Sequence, residues 1–219
     1  AGFMKLFSYV FSPLQDFWTP ILLIIIVITL FIGNITALLQ TSFKRMLAYS
    51  SISHAGYMLF AIIALGANAD SSILTYGLAY SLASVAAFAG LILVKRSHGS
   101  DQFVAFDGLG KSNPLLALVI TVAMLSLAGI PLTAGFIGKF MLFRGAMADY
   151  HVILLVLAVV NAAIGIYYYL RVVVHMYFYP SIKGDDTVAV PTSFNIVLVV
   201  TLLLSILIGV YPDCIISLL

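Results

Sequence analysis

Lys139 stands in Gly135-Phe136-Ile137-Gly138-Lys139-Phe140, an ammonium set in an apolar run. Away from water such a charge is costly unless it is paired, hydrated or discharged, and discharge would make it a group that loads and unloads a proton. Gly135 and Gly138 leave room for water beside it. A plainer role, anchoring the helix by reaching to an interface, competes with this one. His54, in Tyr49-Ser50-Ser51-Ile52-Ser53-His54-Ala55-Gly56-Tyr57, is the second candidate for proton transfer. Helical spacing brings Ser50, Ser51 and Tyr57 to its side, and an imidazole among hydroxyls can relay protons or tie two helices together. Lys44 is the third candidate. With Arg45 and Tyr49 nearby, it equally suits an ordinary charge at a helix end. Arg171 follows Tyr167-Tyr168-Tyr169-Leu170, with His175 one turn on. A guanidinium does not readily give up its charge, so Arg171 suits a fixed electrostatic or lipid-facing role.

The elements that hold these residues must lie in lipid. The chain is 63% hydrophobic and only 8% charged, where a soluble domain needs about a quarter of its residues charged. Hydrocarbon cannot satisfy backbone amides, so a spanning segment is a helix or part of a closed barrel. The apolar runs show no period-two alternation and therefore read as helices. The sequence thus predicts an all-α, polytopic membrane bundle as one transmembrane domain over 1–219. Its segments are a partial one at 1–11, then 21–39, 49–65, 73–94, 114–147, 152–178 and 194–210. Short polar or Pro-bearing connections, as at Ser12-Pro13, 66–70 and Tyr179-Pro180, imply that consecutive helices are neighbours.

The segment 114–147 is too long for a simple span. As a straight helix its length would be about 50 Å against about 30 Å of hydrocarbon. The predicted break is Leu127-Ala128-Gly129-Ile130-Pro131-Leu132-Thr133-Ala134-Gly135, where Pro131 removes an amide donor and the glycines loosen the backbone. Such breaks in membranes tend to be ion sites.

Charge sets the orientation. Alternate loops hold Lys44 and Arg45, then Lys95, Arg96 and Lys111, then Lys183, whereas the others hold Asp16, Asp70, Asp149 and Asp213. The basic set is expected in the cytoplasm. Phe17, Trp18, Tyr150, Tyr177, Tyr179 and Tyr211 read as interface anchors. The chain contains no Glu, and its eight Asp fall in loops or at helix ends, so the acidic partner of Lys139 is expected from elsewhere. A net charge of +2 with no basic stripe gives no sign of nucleic acid binding. The lone Cys214 can form no internal disulfide and reads as a small packing residue. No dinucleotide fingerprint, P-loop, cysteine cluster or paired-His haem pattern is present, so no electron carrier is expected in this chain. The opening Ala1-Gly2-Phe3-Met4-Lys5 reads as the interior of something longer.

The run from Thr41-Ser42-Phe43-Lys44-Arg45 through His54-Ala55-Gly56-Tyr57, and the run Leu125-Ser126-Leu127-Ala128-Gly129-Ile130-Pro131 through Gly138-Lys139-Phe140, resemble the antiporter-like membrane subunits of respiratory complex I, the NADH:quinone oxidoreductase. Ala163-Ile164-Gly165-Ile166-Tyr167-Tyr168-Tyr169-Leu170-Arg171-Val172 is most similar to the subunit N branch of that family. The resemblance implies a 14-helix subunit of which this is the C-terminal half, starting inside the eighth helix. The family's broken twelfth helix carries a terminal proton-loading lysine near the outward half-channel, which maps onto Lys139. Other central lysines and an acidic partner would lie upstream, and Lys5 matches a non-channel position. The implied activity is proton translocation in a translocase of a bacterial cytoplasmic (inner) membrane, driven by quinone reduction elsewhere. The implied partners are other membrane subunits of complex I, lipid, protons and internal water. NADH, FMN, iron–sulfur clusters and quinone are expected in those other subunits and no cofactor in this one. Two alternatives stand beside this reading. One is a subunit of a multisubunit Na+/H+ antiporter or membrane-bound hydrogenase, and the other is a passive scaffold whose basic residues only hold helices together.

Overall fold

The computed structural model describes residues 2–64, 69–148, 152–181 and 187–216. Seven helices carry the architecture: α1 (Gln15–Leu38), α2 (Phe43–Ala64), α3 (Ala69–His98), α4 (Pro114–Ala128), α5 (Ala134–Ala148), α6 (Val152–Phe178) and α7 (Thr192–Val210). Five of them are long and apolar enough to cross a membrane, and α4 and α5 are 15-residue helices on either side of the break, α4 itself apolar. The chain is a multi-pass membrane protein. Among the described residues no strand occurs, only an isolated antiparallel bridge between Ser42 and Gln102.

Helix ends extend past the apolar runs that announce them, because polar residues at a span's end are solvated at the interface. α2 begins six residues before its expected start, since Ser42 Oγ accepts from the Arg45 amide 3.2 Å away and caps the first turn. The expected partial segment at 1–11 forms a short helix, Gly2–Lys5, continued by a π-helical turn over Leu6–Val10. The expected loop at 66–70 and the residues Asp149, Tyr150 and Lys183 lie wholly or largely outside the described residues.

α1 and α2 pack closely because Gly33 has no side chain: a Cβ there would come within 2.6 Å of the Ser53 amide. The larger apolar core gathers Phe43, Met46, Leu47, Phe106, Ile120, Met124, Val172 and Met176, at the end of the molecule that holds the basic loops. A second centres on Leu30, Tyr57, Phe60, Tyr76 and Leu142. The chain's outer surface keeps Ile24, Ile28, Ile32, Ile35, Leu203 and Leu207 exposed, as a lipid-facing surface requires.

Backbone bonds tie the basic loops together. The Phe43 amide donates to Asp101 O at 2.8 Å and the Phe103 amide to Thr41 O at 3.2 Å. Asn113 exchanges two bonds with Val188, at 3.0 and 2.7 Å. Lys44, Arg45, Lys95, Arg96 and Lys111 therefore share one end of the bundle. Phe17, Tyr177, Tyr179 and Tyr211 are exposed as expected of interface anchors. Trp18 is not: it is buried, and its indole N–H donates to Phe11 O at 2.8 Å, because the turn over 11–14 folds back onto α1. Cys214 is exposed rather than packed.

Candidate functional site

The break between α4 and α5 builds the site. α4 ends at Gly129, whose φ of +83° suits a residue without Cβ. The Gly129 amide bonds to Ser126 O and the Ile130 amide to Leu125 O, both at 3.0 Å, the paired pattern of a glycine-terminated helix. That pattern leaves the carbonyls of Leu127 and Ala128 unclaimed by the backbone, and in lipid an unclaimed carbonyl is expensive. Lys139 claims both. Its Nζ donates to Leu127 O at 3.0 Å and to Ala128 O at 2.8 Å, and the side chain is only 6% exposed. The partially negative end of a helix is where a cation is best held. Its partners are therefore carbonyls of this chain, a solution that a search for carboxylates cannot find.

The start of α5 fits into the same corner. The Gly135 amide donates to Ser126 Oγ at 3.1 Å, and a Cβ at Gly135 would fall 1.8 Å from Ser126 O. Only glycine permits that approach, which brings Lys139 one turn later onto the end of α4. Leu132 takes φ of +72° with its side chain 69% exposed, so the break carries local strain on its outer side. Its carbonyl rests against Gly209 of α7.

His54 lies nearby and is 3% exposed. Its Nδ1 is 2.6 Å from Tyr76 Oη and its Nε2 is 3.0 Å from Tyr169 Oη, so hydroxyls from α3 and α6 occupy both ring nitrogens. The hydroxyl neighbours expected from its own helix play a different part. Ser50 and Ser51 bond back to the carbonyls of Leu47 and Ala48, as hydroxyls in apolar helices do when no closer acceptor competes. Tyr57 is the link to Lys139: its ring centroid lies 5.0 Å from Nζ and 6.2 Å from the His54 ring. On the far side the Tyr168 and Tyr169 rings are 4.5 Å apart. Tyr168 Oη donates to Asn34 Oδ1 at 2.7 Å, and Asn34 Nδ2 donates to Asn161 O and Oδ1 at 3.1 and 3.0 Å. Lys139, Tyr57, His54, Tyr169, Tyr168, Asn34 and Asn161 thus form a buried polar band through the bundle.

Lys44 is apart from this band, exposed in the first turn of α2. Arg171 is neither lipid-facing nor free. Its Nη1 reaches Leu38 O at 3.5 Å, its Nη2 bonds Gln40 O, and its Cζ sits 4.2 Å above the Phe103 ring. His175, one turn on, places Nδ1 2.6 Å from Asp107 Oδ1. Sequence spacing alone cannot reveal that pair, since 68 residues separate its members.

A bundle of spanning helices with one helix broken beside a buried amine defines an antiporter-like membrane protein. The chain belongs to the NADH:quinone oxidoreductase/Mrp antiporter transmembrane family, whose model matches residues 1–165. It is similar to NADH-quinone oxidoreductase subunit N of Trichlorobacter lovleyi, 43% identical over 99% of this chain and 45% of that one. A Solibacter usitatus relative, NADH-quinone oxidoreductase subunit N 1, is 38% identical over 97% of this chain and 44% of its own. A chain of respiratory complex I from Thermus thermophilus with bound aureothin superposes with a TM-score of 0.80 at 34% identity, over 91% of this chain and 45% of that one. A chain of the Mrp complex from Dietzia sp. shares the fold at 16% identity, with a TM-score of 0.87 over 98% of this chain and 48% of that one. The chain spans less than half the length of these relatives.

Proposed function

We propose that the chain moves protons as the C-terminal portion of a longer antiporter-like subunit in a proton-pumping NADH:quinone oxidoreductase. The observation that carries this reading is Lys139, an amine buried in the bundle and held by the two carbonyls left open at the end of α4. Such an amine can load a proton from confined water and release it. His54 hands protons across the band between α3 and α6, its two nitrogens already aligned with hydroxyl partners. Lys44 contributes only at the surface of the basic end. A charge arriving or leaving elsewhere in the complex fills or empties Lys139 through the field it exerts. Redox cofactors sit in other subunits, the basic end faces the cytoplasm of a bacterium, and the upstream half of the longer subunit supplies the acidic partner. Support comes from the names of the bacterial relatives and from the basic loops gathered at one end.

The test is Lys139→Ala in the assembled complex, reconstituted into sealed vesicles. Proton pumping per NADH oxidised is expected to be lost; unchanged pumping in a complex that assembles normally overturns the proposal. For His54, a Gln substitution keeps both hydrogen-bonding partners possible while removing the titrating ring. Slowed pumping with normal assembly is expected, and an unshifted rate leaves His54 a packing residue.

A further inference from the structure

Asp107 is the one buried carboxylate among the described residues, 8% exposed, in a chain with no Glu. It follows the tight turn Phe103–Phe106 at the basic end, and the band around Lys139 makes no use of it. On its outer side Asp107 lines an open cavity of about 190 Å³ together with His98, Ser100, Gln102 and Ser181. On its inner side one oxygen meets His175 Nδ1 of α6 at 2.6 Å. The imidazole is locked in place by stacking, with the Phe103 ring at 5.8 Å and the Tyr179 ring at 4.8 Å. A carboxylate that touches water on one side and an imidazole on the other is a place where a proton can be taken from solvent and shared.

We propose that Asp107 and His175 form the proton-uptake site of the basic end. The proposal rests on the proton-translocating reading given above and adds the point where the proton leaves solvent. A hydronium ion in the cavity gives its proton to the pair and stays behind as water. One proton already lies in the Oδ1···Nδ1 bond, so the added one goes to the other oxygen of Asp107 or to His175 Nε2, and no electron moves. Arg171, one turn further in on α6, keeps a permanent positive charge at this depth. Unassisted entry of a hydrated proton past that charge is costly, so an acceptor ahead of it sets the uptake rate. Among the described residues, α3 packs on the Phe103–Phe106 turn and brings Lys95, Arg96 and His98 in its last turn. His98 lines the cavity, Tyr179 stacks on the ring, and Lys111 of the short helix Leu109–Ser112 is exposed. α4, packed along α6, carries no titratable residue.

The experiment compares Asp107→Asn, His175→Gln and Lys139→Ala in the assembled complex in sealed vesicles, with pumping rate measured across pH. Without its collector the chain must draw on bulk protons, so the Asp107→Asn loss is expected to grow with pH, from under about twofold near pH 6 to roughly tenfold near pH 8. With pumping read as membrane potential, which a neutral permeant acid does not discharge, a small weak acid such as formic acid is expected to restore the rate, a rescue that a merely structural carboxylate would not show. His175→Gln should show the same slope. If Lys139→Ala abolishes pumping while Asp107→Asn has no effect, or an equal loss at every pH with no rescue, the uptake site is wrong and the wider reading stands. Should Lys139→Ala leave pumping intact, the wider reading and the uptake site fall together.

Discussion

Lys139 and Arg171 solve one packing problem with two different cations. Each places its head on carbonyls at the C-terminal end of another helix, Lys139 on Leu127 and Ala128 of α4 and Arg171 on Leu38 and Gln40 around the end of α1. Each also faces an aromatic ring, Tyr57 at 5.0 Å and Phe103 at 4.2 Å. The settings diverge from there. The Lys139 amine sits beside the His54 band in the bundle's interior, where the proposed function has it gain and lose a proton. The Arg171 guanidinium sits at the basic end and stays charged under any condition the fold survives. A helix terminus therefore supplies a cation site; on the proposed function the lysine makes it a switch, whereas the arginine makes it a rivet.

The sharpest way to break this comparison is to exchange the chemistry. Lys139→Arg keeps a cation on the α4 carbonyls but cannot discharge, so pumping should fall as far as in Lys139→Ala, by about a hundredfold or more. Proton uptake by reconstituted complex measures it, and substantial residual pumping would make Lys139 a rivet as well. Next in size is Arg171→Met. It strands carbonyls at the end of α1 and should lower stability by about 2 kcal/mol, read as an earlier thermal loss of the detergent-solubilised complex. Arg171→Lys should recover part of that stability and leave pumping intact. Gly129→Ala forces a Cβ into a positive-φ position, 2.7 Å from Lys139 Cδ. We expect a loss of about 1 kcal/mol with slower pumping, since the strain falls on the switch itself. Lys44→Ala should change pumping by less than about twofold, because an exposed charge at a helix start is well screened.

Much of the corner around Lys139 was legible from residues alone. An amine in an apolar run is conspicuous, and Pro131 with its flanking glycines marks the break to within a few residues. The break itself follows from Gly129 and Gly135, the two places where a side chain would collide or strain the backbone. The rivet was not legible. Arg171 reads as a lone charge until α1 is folded against it, more than 130 residues away in the chain. Separation along the chain also hid the tyrosines on His54, contributed by residues 22 and 115 positions away, and the pairing of Asp107 with His175. The serines near His54 in sequence misled because a hydroxyl on a helix finds its own backbone first. Helical periodicity speaks for contacts within one helix, and these contacts run between helices.

The irregular stretch from Gly129 to Thr133 also gives the broken segment slack. Its two halves contain 15 residues each, rising about 22 Å apiece, more in total than the acyl-chain layer is thick. A continuous helix would answer hydrophobic mismatch by tilting as a whole. Here the angle between the halves can change instead, at the point where Lys139 reaches across to Ala128. Lipids with longer or shorter tails would thus press on the Lys139 amine without ever touching it.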